Sequence, residues 1–111
     1  MTDQQSIVHE IRNLSRDPYG HFPPVPCGKY HVSVQASASH YCDPRNAQFD
    51  MLGLYDEVEA AVLVRLGERG ADIDYRFTGG DVGGYLTWDQ VAELVADVLA
   101  DSPRYPDAKE D

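Results

Sequence analysis

Positive charge is scarce in this chain: nine lysines and arginines stand against nineteen aspartates and glutamates, for a net charge of −10. That balance argues against direct binding to nucleic acid or to anionic lipid through a phosphate-neutralising patch, and it makes any macromolecular partner a basic one. Cysteine is scarcer still. Cys27 and Cys42 are the only two, too few for a disulfide framework, and the default role of a reduced thiol is core filling. No apolar run approaches the roughly 18 residues that a membrane span requires. The polar start Thr2-Asp3-Gln4-Gln5-Ser6 lacks the basic and apolar regions of a secretory signal, so the expected compartment is the cytoplasm. No internal repeat of solenoid length is visible.

What is present suits one folded domain. The length of 111 residues and an apolar fraction of 42% support a single core. The domain is expected over residues 1–103, followed by an acidic, frayed tail over 104–111. Thr2 and Gln5 form a capping box, and Ile7, Val8, Ile11 and Leu14 share one side of a helix predicted over 3–16. Asp17-Pro18-Tyr19-Gly20 and then Pro23, Pro24 and Pro26 predict a stiff connector over 18–28 without regular structure. From Lys29 to Ser37 the alternation of Tyr30, Val32, Val34 and Ala36 with polar neighbours predicts a half-buried strand. Val58, Ala60, Val62, Val64 and Leu66 alternate likewise, although Leu54, Val58, Val62 and Leu66 also fit helical spacing. A turn at Gly67 to Gly70 leads into Ile73, Tyr75 and Phe77, which completes a hairpin. Thr87-Trp88-Asp89-Gln90 is a second capping box. It opens a helix whose apolar face is Val91, Leu94, Val95, Val98 and Leu99, with Leu86 and Val91 as a hydrophobic staple.

The fold expected from these elements is α+β: a three-stranded, mainly antiparallel sheet with the C-terminal helix packed on one face and the N-terminal helix at its edge or end. The predicted core is Ile7, Ile11, Leu14, Tyr30, Val32, Val34, Val58, Val62, Val64, Ile73, Tyr75, Trp88, Val91, Leu94, Val95 and Val98.

Three segments carry candidate chemistry. The long aperiodic loop 38–54 contains His40, Cys42 and Arg45. Zinc accepts imidazole, thiolate and carboxylate, but the two cysteines are separated by fourteen intervening residues and only His40 and Cys42 are close, so a packed loop is preferred to a metal site. Cys42 as a nucleophile would need a lowered pKa and His40 as its base; Arg45 would bind an anion or simply pair with an acid. The run Thr78-Gly79-Gly80-Asp81-Val82-Gly83-Gly84 lacks a phosphate-loop ending, and Asp81 would repel an anion, so it reads as a flexible turn.

The third segment is the last helix, where Asp89, Glu93, Asp97 and Asp101 recur every four residues with no lysine among them. Residues 67–111 hold eleven acids against four basic residues, seven of the ten net negative charges. The stripe reads either as a solvated helix face or as a surface that occupies a basic groove built for nucleic acid.

The stretch Ser33-Val34-Gln35-Ala36-Ser37, then His40-Tyr41-Cys42 and Pro44-Arg45, resembles a pattern in small phage and prophage proteins of GC-rich bacteria. The likeness extends to Tyr55-Asp56-Glu57-Val58-Glu59 and to Gly84-Tyr85-Leu86 before a short helix, about two thirds of the chain in all. That group has no assigned activity and no assigned catalytic residues, so it implies a context, a mobile-element accessory protein, and no site. The functional expectation is therefore a non-enzymatic acidic protein without metal or cofactor. It would dock on a basic host protein, such as a nucleic-acid-binding defence complex, as an inhibitor of the anti-CRISPR type, through Asp89, Glu93, Asp97 and Asp101. The alternatives are a small metal- or thiol-dependent enzyme centred on His40 and Cys42, and a structural phage component.

Overall fold

The computed structural model describes residues 2–67 and 70–105. The order of elements is α1 (Asp3–Arg12), β1 (Val25–Cys27), β2 (Tyr30–Gln35), a short 3-10 turn (Leu52–Leu54), β3 (Glu57–Gly67), β4 (Gly70–Ile73), a second 3-10 turn (Tyr75–Phe77), β5 (Gly83–Thr87) and α2 (Trp88–Leu99). The chain is α+β, as expected, but the antiparallel sheet has five strands rather than three. It is built around β3. β2 lies along one side of β3, with β1 outside it, and the other side is shared end to end by β4 and β5.

The two unforeseen strands came from segments whose prolines and glycines read as breakers. Pro26 lacks an N–H, and β1 is an edge strand where that loss leaves the ladder intact. Val25 and Cys27 point into the core on either side of it. Gly28, at φ +62°, makes the two-residue turn into β2 possible. At the other edge, β5 uses Gly83 and Gly84, and its pairing with β3 shifts register between Val58 and Ala60. The expected strand through Tyr75 and Phe77 ends instead at Ile73, because the Asp74 carboxylate accepts the Arg76 N–H and turns the chain. The first helix stops at Arg12, four residues short of the expected end. There the Asn13 side chain donates to the His9 carbonyl at 2.7 Å, and Leu14 turns away to bond Leu52.

Alternation then sets the core. Tyr30, Val32 and Val34 of β2 face inward with Val58, Ala60 and Val62 of β3, in register Val32 to Val62 and Val34 to Ala60. α2 covers this face with Val91, Leu94, Val95 and Val98, and α1 packs against α2 and adds Ile11. Both capping boxes form as read, Thr2 with Gln5 and Thr87 with Gln90. Of the predicted core, Val64 is a correction: it lies beyond the helical cover and is 41% exposed. Ile7, Leu14 and Trp88 are half-buried against the core, and Ile73 and Tyr75 are half-buried too. The core also contains Phe22, Val25, Cys27, Cys42, Leu52 and Tyr55, none of which the periodicity indicated, together with Ala36 and Phe77, which lay in the alternating runs. No helix among the described residues is long and apolar enough to cross a membrane.

Candidate functional site

The loop 38–54 is packed, and its organising group is Tyr55. The Tyr55 hydroxyl donates to the Ala47 carbonyl at 2.7 Å and accepts from Arg16, whose other nitrogens reach the carbonyls of Phe49 (2.8 Å) and Gly20 (2.9 Å). The guanidinium lies 4.6 Å from the Phe22 ring centre. One buried aromatic and one arginine thus close the connector and the loop onto the sheet. Trp88 adds a tie from α2, its indole N–H donating to the Tyr55 carbonyl at 2.8 Å.

Within that loop the His40 and Cys42 side chains each bond Ser37 rather than each other. His40 Nδ1 shares a 2.6 Å hydrogen bond with the Ser37 hydroxyl, whereas the Cys42 thiol donates to the Ser37 carbonyl. Cys42 is 1% exposed, and burial pushes its thiol pKa up, the reverse of what activates a nucleophile. Cys27 is buried as well, its pKa raised to about 11 by desolvation, with its thiol against the Val95 carbonyl. Among the described residues no three His, Cys, Asp or Glu side chains converge as metal ligands. Arg45 donates to the Ala38 carbonyl at 3.0 Å and stands 6.0 Å from the Tyr41 ring centre.

The acidic stripe is shorter than its spacing implies. Asp89 and Glu93 lie exposed on α2, but the helix ends at Leu99, and Asp101 follows it at φ +52°. Asp101 pairs with Lys29 at 2.7 Å and accepts the Tyr30 hydroxyl at 2.7 Å; these two bonds, the lysine's first, hold its carboxyl below the usual range. Arg104 reaches Asp97 at 2.9 Å and Glu93 at 3.8 Å. The Asp97 contact is ionic, without hydrogen-bond alignment, so its buried Oδ2 has no hydrogen-bond partner. The sequence showed no lysine on the stripe, yet its C-terminal half is answered by Lys29 from a distant position and by Arg104 from just beyond the helix. Arg104 and Tyr105, at the start of the expected frayed tail, are held by these contacts and by a Tyr105 N–H bond to the Arg76 carbonyl; the remainder of that tail lies outside the described residues.

A feature that sequence reasoning missed lies where the loop crosses β5. The Tyr41 N–H donates to the Glu59 carboxylate, and its carbonyl accepts the Tyr85 N–H, both at 2.9 Å. Gly84 permits this approach, because a β-carbon there would come within 2.8 Å of Tyr41 Cβ. The Tyr41 and Tyr85 rings meet at 5.9 Å, tilted by 47°, yet the residues are 52% and 47% exposed. Tyr85 is at φ +54°, a conformation that costs a side-chain-bearing residue about 1–2 kcal/mol. Asp43 bridges Glu57, and Asp56 donates to the Asp43 carbonyl, so three carboxylate residues gather at the start of β3 beside Glu59. Compared with known proteins, the chain matches no family model, no curated protein and no solved structure.

Proposed function

We propose that this protein acts by binding: it is an acidic accessory protein, of a mobile element, that occupies a basic surface of a host protein, of the kind a nucleic-acid-handling defence complex presents. The observation that carries the reading is the commitment of its cations. All six lysines and arginines whose side chains are described are engaged within the chain: Arg12 over Trp88, Arg16 in the loop, Lys29 with Asp101, Arg45 on Ala38, Arg76 with Asp74, and Arg104 with Asp97. Exposed acids such as Asp3, Glu10, Asp50, Asp56, Asp81 and Asp89 have no ion pair among the described residues. The surface charge is therefore left unbalanced in one sign, and such a field steers a protein toward a basic partner.

On α2 the outward part of the stripe is Asp89 and Glu93, while Asp97 and Asp101 also hold the fold together. The phage-like sequence pattern supports the mobile-element context. The test is the double reversal Asp89→Lys with Glu93→Lys, measured against a partner captured from host cells. The association rate is expected to fall by about tenfold at low salt and by much less at high salt. An unchanged rate at low salt removes α2 from the interface.

A further inference from the structure

We infer that Tyr41 and Tyr85 form a cation-recognition patch, which receives an arginine or lysine side chain from the partner protein. The inference rests on the reading of the chain as a binder of basic surfaces and assigns that binding a specific contact. Three features lead to it. First, Tyr85 is kept in a left-handed backbone conformation that a glycine would adopt freely, and half of its surface is exposed. The other described non-glycine residue at positive φ, Asp101, is fixed there by Lys29 and Tyr30; the one ring–ring contact of Tyr85 is with Tyr41, itself exposed. Folding does not account for a tyrosine at this position, whereas presentation of its ring does.

Second, the pair is mounted on backbone rather than on flexible side chains. The Tyr85 N–H to Tyr41 carbonyl bond, the Tyr41 N–H to Glu59 bond and the close fit at Gly84 fix both backbones on the strand edge. Backbones already set in this way do not have to be ordered on binding. Third, the surroundings select the occupant. Aromatic faces attract cations, and the Arg45 guanidinium already stands 6.0 Å from the Tyr41 ring centre. The Glu59 carboxylate accepts the Tyr41 N–H, and Asp43, Asp56 and Glu57 meet through their backbones at the adjoining end of β3. Arg45 is the cation of the loop, and its Nε is bound to the Ala38 carbonyl. Tyrosine rings in an acidic neighbourhood complement a guanidinium or ammonium group and disfavour a phosphate or carboxylate.

The test uses a synthetic peptide of alternating arginine and glycine, with a citrulline-for-arginine peptide as the neutral control, titrated into the full chain at physiological ionic strength and followed by amide chemical shifts. Binding of the arginine peptide is expected to move the resonances of Tyr41, Gly84 and Tyr85. Tyr85→Gly leaves net charge unchanged and relaxes the backbone, and it is expected to weaken binding by about three- to tenfold. Tyr85→Asn, which tolerates positive φ, serves the same purpose if the glycine variant folds poorly. Wild-type affinity in Tyr85→Gly, or shifts spread over the acidic surface without focus on the pair, overturns the inference. The α2 reversal variant separates the two readings. Weakened binding in that variant with Tyr85→Gly unaffected leaves the acidic helix as the interface and eliminates the aromatic patch; the opposite pattern keeps the patch and eliminates the helix.

Discussion

Gly53 offers a substitution in which two known effects of opposite sign compete. A glycine-to-alanine change stabilises a protein by about 0.4–1 kcal/mol through the unfolded chain wherever the folded backbone accepts a β-carbon. At Gly53 the added atom would stand 2.6 Å from the Arg12 carbonyl oxygen and 3.3 Å from Arg12 Cβ. An ordinary carbon–oxygen approach is about 3.3–3.6 Å, so the turn Leu52–Leu54 and the end of α1 must separate by roughly 0.7 Å. The obstruction is main chain on both sides and no rotamer change relieves it. The separation stretches the 3.1 Å bond from Leu52 N–H to the Leu14 carbonyl and loosens Leu52 and Ile11, both fully buried. A lost hydrogen bond of about 1 kcal/mol and overpacking of about 1–3 kcal/mol outweigh the chain-entropy gain. Gly53→Ala is therefore expected to lose about 2 kcal/mol in urea unfolding, and about 8 °C in Tm at roughly 4 °C per kcal/mol for a chain of this size. A variant as stable as the wild type, or more stable, refutes the account of how the loop is seated on α1.

Two further substitutions probe the ties around the sites. The folded pKa of Asp101 is lowered by the Lys29 and Tyr30 bonds, so its stabilising contribution is present above its unfolded value of 3.8 and is lost as pH falls through the folded value. Asn accepts the left-handed backbone and keeps an oxygen for Tyr30, so Asp101→Asn removes the charge alone. The variant is expected to be less stable at neutral pH and to converge with the wild type in strongly acid solution; unfolding curves with a constant offset at every pH contradict this. Arg16→Lys replaces a planar fork that meets Phe49, Gly20 and Tyr55 with a single ammonium. Loss of two such bonds is expected to cost about 3 kcal/mol in denaturant unfolding, and a change under about 1 kcal/mol would show that the loop is held by packing instead.

The elements legible in the sequence are those whose stability is local. α2 announces itself by Thr87 and Gln90 and by an unbroken apolar face, β2 by clean alternation, and the β3–β4 hairpin by its glycines. The misses at β5 and in the loop share a cause: their structure is supplied by contacts distant in sequence. β1 and β5 are short edge strands whose proline and glycines are tolerated only because β2 and β3 provide the ladder. The loop is ordered by Arg16 and Tyr55, one of them placed before the connector and the other after the loop, so no period within it carries the information. The candidate site divides the same way. Asp89 and Glu93 follow from helical spacing, but the pairing of Asp101 with Lys29 requires the sheet, and the meeting of Tyr41 with Tyr85 requires the loop to cross β5. The one local signal for that pair was Gly84-Tyr85, a glycine beside an aromatic in a segment with little else to bury.

The division of roles between the two signs of charge connects the fold to the binding hypothesis. Lysine and arginine tie segments together: Lys29 joins the β1–β2 turn to Asp101 just after α2, Arg104 returns the C-terminal segment to α2, and Arg16 closes the loop. Several of these bonds end on carbonyls or a phenol rather than on carboxylates, so salt screens them little. The unmatched acids repel one another in the free protein, and that repulsion is relieved either by salt or by a basic surface. Folding and binding therefore respond to ionic strength in opposite senses: added salt quiets the self-repulsion of the free chain while it weakens attraction to a partner. The aromatic pair at Tyr41 and Tyr85 supplies what long-range charge alone lacks, a fixed contact that distinguishes one basic surface from another.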